Sequence, residues 1–239
     1  MPDFRLAPNG ESRPLADPGA VAELTLVKSS AWRQPPPVGG AGSDLASWML
    51  LGGPAAALAF GLGVTWLGVA TPGYGAVRQT ISELGPQGGK GRRALAGLNL
   101  IIALAAVVFA CGLVSVAKHV PWTTTPAYFV GLYAVLAAGL AAFPSGHPLH
   151  NVVGLLQTFP FVGAPLSVAL GLRGLGVLTP ISWAALGLLI VAMALNLAPA
   201  FSPRLGKAFA PVYGLLQRSI FVAWYGWCAI LGFLLFLRA

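Results

Sequence analysis

Glu83, Ser145, His147, His150 and Arg218 are the side chains whose types suit acid, base, nucleophile, metal-ligand or anion-binding work. Glu83 is the only carboxylate after residue 44, so any acid or general base of carboxylate type beyond that point must be this one. His147 and His150 stand three residues apart, which places both imidazoles on one side of a helix beginning near Pro148. With Glu83 they compose a His-His-Glu set that leaves a coordination position for water, although zinc signatures usually have two histidines four apart. A Ser145–His–Glu83 nucleophilic triad is also available in composition. Arg218 is the natural partner of Glu83, because a guanidinium near lipid must pair or reach the interface. The plainer alternatives are that Glu83 caps or ion-pairs a short interfacial helix with Arg78 or Arg218, and that the histidines only hydrogen-bond at a turn.

These residues lie in short polar connections between long apolar runs. A hydrocarbon layer about 30 Å thick takes roughly 20 apolar residues per helix. Six runs qualify: Ser47–Ala70, Leu95–Ala117, Ala127–Phe143, Asn151–Leu172, Pro180–Phe201 and Val212–Leu237. An even number of crossings puts connections one, three and five on one membrane face. That face holds Pro72 to Gly85, then Phe143 to Asn151, then the approach to Tyr213 and Arg218. Pro160 and Pro165 should bend the fourth helix. Trp224, Tyr225 and Trp227 fall in mid-span and should pack between helices, whereas Trp48, Trp66, Tyr74, Trp122, Tyr128, Trp183 and Tyr213 suit the interfaces. Asn99, Gln157, Thr158 and Asn196 are polar residues inside spans, suited to interhelical hydrogen bonds or to lining a ligand cavity.

Composition agrees with a membrane bundle. Only 8% of the 239 residues are charged and 56% are apolar, against about a quarter charged in soluble domains. The net charge of +8 is spread singly or in threes between apolar runs, the pattern of membrane-protein loops and not of a nucleic-acid surface. Cys111 and Cys228 each sit in an apolar run, which suits neither a disulfide framework nor a paired-cysteine metal site. Residues 1–46 hold the other five carboxylates among Pro, Gly and Ser and read as a disordered polar tail, followed by a transmembrane domain over 47–239. The tail has no basic stretch leading into a short apolar core, so no cleavable signal peptide is expected. Lysine and arginine are balanced between the two faces, and the orientation stays open.

Arg78-Gln79-Thr80-Ile81-Ser82-Glu83-Leu84-Gly85, Phe143-Pro144 followed by His150, and Gly214-Leu215-Leu216-Gln217-Arg218 together resemble the bacterial integral membrane proteins catalogued as domain of unknown function 998. The resemblance runs over about residues 50–238. It implies a polytopic helical fold in the bacterial cytoplasmic membrane and no assigned reaction. Members often carry an acid shortly after the Phe-Pro pair, where this chain has Ser145 and Gly146. Pro144-Ser145-Gly146-His147 also matches the central motif of type-two phosphatidic-acid phosphatases. That chemistry is excluded, because no histidine follows His150 and no acid follows Glu83.

The sequence thus predicts an all-α, six-helix membrane bundle with two main functional readings. In the preferred one, a polar patch binds a lipid or other amphipathic small molecule, with Arg78, Ser82, Asn151, Gln217 and Arg218 as ligand contacts and Arg92 and Arg93 in support. In the alternative, a membrane-embedded enzyme acts on a lipid or isoprenoid, with Glu83, His150 and His147 as acid, base or metal ligands. An accessory subunit of a larger membrane complex is the third. No cofactor is specified, membrane lipids are the expected partners, and nucleic acid is not.

Overall fold

The computed structural model describes residues 41–85, 89–117, 123–171 and 177–238. The tail before residue 41, together with His119, Trp122 and Arg173, lies outside the described residues. Every regular element described is helical: α1 (Ala41–Leu50), α2 (Gly52–Ala70), α3 (Gly89–Val116), α4 (Thr124–Ala142), α5 (Pro148–Leu156), α6 (Thr158–Gly171), α7 (Leu178–Phe201), α8 (Pro203–Phe209) and α9 (Tyr213–Phe236), with 3-10 turns at Ile81–Leu84 and Ala210–Val212. Joined end to end, these give six segments long and apolar enough to cross a membrane: Leu45–Ala70, Gly89–Val116, Thr124–Ala142, Pro148–Gly171, Leu178–Phe201 and Pro203–Phe236.

Proline sets the internal breaks. Its ring clashes with the carbonyl four residues back and offers that carbonyl no N–H. The first span breaks at Leu51, three residues before Pro54, where the Leu51 N–H bonds to Trp48 O in a tighter turn (3.0 Å). The fourth breaks at Gln157, three residues before Pro160, as the sequence led us to expect. Pro165, by contrast, sits within the continuous helix α6. The second span starts earlier than its apolar run, because α3 takes up Lys90, Arg92 and Arg93 in its first turns, where their heads reach outward.

Consecutive spans pack as neighbours, and α9 packs back on α2, so the six close into a ring. Small residues permit the tightest approaches. A Cβ on Gly52 would stand 2.6 Å from Ala105 O and from Phe109 N, so α2 and α3 meet backbone to backbone there. Aromatic rings fill the middle: Tyr133 lies 5.1 Å from Trp224 and 5.7 Å from Phe161, and Phe60 lies 4.5 Å from Tyr225. The Tyr133 and Tyr225 hydroxyls bond to each other across this centre. Trp224, Tyr225 and Trp227 are buried as their mid-span positions required; Trp48, Trp66, Tyr128 and Trp183 are exposed, while Tyr74 and Tyr213 are partly buried.

Candidate functional site

The connection between α2 and α3 folds back on itself before it meets anything else. Gly73, at φ +75°, turns the chain in a region that disfavours side chains. The Gln79 side-chain oxygen then accepts the Gly75 N–H at 2.7 Å, and the Gln79 N–H bonds to Gly75 O at 2.8 Å. The Tyr74 hydroxyl reaches over this turn to Thr80 O (2.9 Å).

Helix α9 grips the folded loop through the Gly-Leu-Leu-Gln-Arg segment. The Arg218 Nη1 donates to Ala76 O (2.6 Å), Gln79 O (2.8 Å) and its own helix's Gly214 O (3.0 Å), and Nη2 donates to the Tyr74 hydroxyl. A Cβ on Gly214 would collide with Gln79 O and Ala76 O, so glycine is what lets the helix approach. Leu215 N–H bonds to Val77 O (3.1 Å), and the Gln217 side-chain oxygen accepts from Ile81 N–H (2.7 Å). Arg218 is thus committed to loop carbonyls and a hydroxyl. Among the described residues Glu83 forms no ion pair with Arg218 or Arg78.

The connection between α4 and α5 meets the same loop from the other side. Gly146, at φ +91°, closes a turn in which His147 N–H bonds to Pro144 O (2.9 Å). His147 caps α5, its Nδ1 accepting from Leu149 N–H (3.1 Å), and its ring lies 4.9 Å from that of Phe143. His150 makes different contacts: Nδ1 stands 2.9 Å from Phe143 O, and Nε2 stands 3.0 Å from the Ser82 hydroxyl. A carbonyl oxygen only accepts, so Nδ1 carries the hydrogen and a neutral ring offers Nε2 as acceptor to Ser82. The His147, His150 and Glu83 metal set is not assembled, since His147 turns back to cap its helix while His150 turns to Ser82. No group of three His, Cys, Asp or Glu side chains fit to hold a metal occurs among the described residues.

Behind this contact lies a cavity of about 60 Å3. Arg92, Ser145, His150, Ser82 and Gln217 line its polar end, while Phe60, Val64, Leu98, Ile102, Leu140 and Phe221 supply apolar wall. Asn99, Tyr133, Tyr225 and Gln157 complete the lining. Gln157 is only 2% exposed, and its Nε2 has no hydrogen-bond partner. Of the residues named from the sequence as ligand contacts, Ser82 and Gln217 line the cavity, Arg218 holds the loop, and Arg78 and Asn151 are exposed outside it. Of Glu83, His147 and His150, named as acid, base or metal ligands, only His150 lines it, together with Ser145, the nucleophile of the possible triad. From the sequence Gln157 reads as a generic intramembrane polar residue; the proline three positions later is the available signal that it sits at a break.

These features define a polytopic membrane helix bundle with a cavity lined in part by polar residues where its first and third connections meet its last helix. The chain belongs to the family described as protein of unknown function (DUF998), whose model matches residues 54–234 and so takes in all three motif segments. No curated protein and no solved structure matches it.

Proposed function

We propose that this protein binds a lipid or other amphipathic small molecule in the cavity between its motif loops and its aromatic centre, in the bacterial cytoplasmic membrane. One observation carries the reading: Gln157, whose buried amide Nε2 has no hydrogen-bond partner, is one of the residues that line the cavity. Such a donor left unsatisfied costs about 1–3 kcal/mol, which a guest oxygen would offset. The walls are mostly apolar and the residues from the connections are mostly polar, which matches a molecule with one end of each kind.

A volume of about 60 Å3 accommodates on the order of four waters, well below the roughly 300 Å3 or more of a site enclosing a whole small molecule. The cavity therefore takes one end of the guest, and the remainder lies at the mouth among Arg92, Ser145 and His150. Exposed Arg78, Lys90, Arg93, Arg204 and Lys207 add positive charge around the connections on this face, favourable to anionic headgroups. Native mass spectrometry of gently released protein tests the reading. The wild type should retain an amphiphile-sized mass, and Ala96→Trp, which fills the cavity from α3, should lose it. Equal retention in both would place the bound molecule elsewhere and refute the proposal.

A further inference from the structure

We infer that Ser82 and His150 form a nucleophile–base dyad that cleaves a carboxylic ester in the bound amphiphile. The inference rests on the cavity being a binding site and adds the class of substrate and reaction. Three features of the geometry support it. The Ser82 hydroxyl and His150 Nε2 are 3.0 Å apart, within proton-transfer reach. The other ring nitrogen is fixed by Phe143 O at 2.9 Å, which sets the tautomer that lets Nε2 take a hydroxyl proton. Both side chains line the cavity, so a guest's reacting carbon can reach Ser82.

The neighbouring donors suit the charge that would develop. Gln217, which lines the cavity, commits its side-chain oxygen to the N–H of Ile81, the residue preceding Ser82, and so keeps its NH2 as a donor. The Ser145 hydroxyl and Arg92 line the same cavity. Amide and hydroxyl donors of this kind stabilise the oxyanion of a tetrahedral intermediate. Glu83 adjoins Ser82 in sequence but does not orient His150, which bonds to a carbonyl instead of a carboxylate.

The reaction balances with water as the second reactant. Ser82 Oγ attacks the ester carbonyl carbon while His150 Nε2 takes the hydroxyl proton. The bond from that carbon to the leaving oxygen breaks, and His150 returns the proton to the departing alcohol. Water from the interfacial mouth then attacks the acyl-Ser82 ester, giving one proton to His150, which passes it to Ser82 Oγ as the carboxylic acid leaves.

The test uses the full chain in detergent micelles and a fluorophosphonate carrying a long alkyl chain, which phosphonylates serines activated by a base. Peptide mapping should find the adduct on Ser82. It should vanish in Ser82→Ala, and its rate should fall by about a hundredfold or more in His150→Gln. Ser82→Cys supplies a check that does not depend on a variant lacking the group: iodoacetamide should alkylate the introduced thiol faster with His150 intact than with His150→Gln. No adduct on wild-type Ser82, or an adduct whose rate ignores His150, overturns the dyad. If the adduct is absent while the amphiphile sensitive to Ala96→Trp is retained, the dyad alone fails; if both are absent, the binding reading fails with it.

Discussion

Arg218 shows how a charged residue at a membrane interface can be devoted to architecture. Its guanidinium satisfies two carbonyls of the first connection that the folded turn leaves pointing at α9, and does so without a carboxylate. The planar fork is essential, because the Nη1 and Nη2 bonds diverge toward carbonyls and a hydroxyl at once. Arg218→Lys should therefore lower stability by about 2 kcal/mol, the worth of losing charge-assisted hydrogen bonds, read as a lower melting temperature in detergent. An unchanged melt would show that the loop holds its shape without the fork. The sequence groups Arg78, Ser82, Glu83, His147, His150, Asn151, Gln217 and Arg218 as one patch; hydrogen bonds join the three segments at Ser82, His150, Gln217 and Arg218, while Arg78 and Asn151 are exposed outside the cavity. It cast Arg218 as a ligand contact and as a partner of Glu83, because opposite charges are visible in a sequence whereas free backbone carbonyls are not.

Among the elements, the helix breaks decide which side chains face the interior. Pro160 denies the Leu156 carbonyl its usual N–H and shifts the chain at Gln157, whose amide then lies in the core. Pro160→Ala removes the clash and should let α5 and α6 merge. Retention of the amphiphile should then fall severalfold while the span itself survives, as measured by native mass spectrometry beside circular dichroism. Retention at the wild-type level would mean that the break does not position the amide. The bend was legible from the prolines alone, but its consequence was not. Which way a side chain turns at a break depends on neighbouring helices, and one helix's sequence carries no record of those.

At the scale of the whole molecule, hydropathy was sufficient to find six spans, because each must bury about 20 apolar residues whatever its neighbours. Ring closure by α9 on α2 was not legible, since lipid and protein are equally apolar surroundings for a leucine. The fold requires Arg93 and Arg204 to share one membrane face and Arg238 to lie on the other. With Cys111 and Cys228 replaced, single cysteines at those three positions should label accordingly with an impermeant maleimide on sealed vesicles. Labelling of all three from one side would break the six-span topology. The most direct test of the binding account is an experimental structure of protein taken from its native membrane without stripping lipid. Elongated non-protein density entering the cavity, with an oxygen at about 3 Å from Gln157 Nε2, is the predicted result. A cavity empty of all but water, with lipid density confined to the outer surface of the bundle, would contradict it.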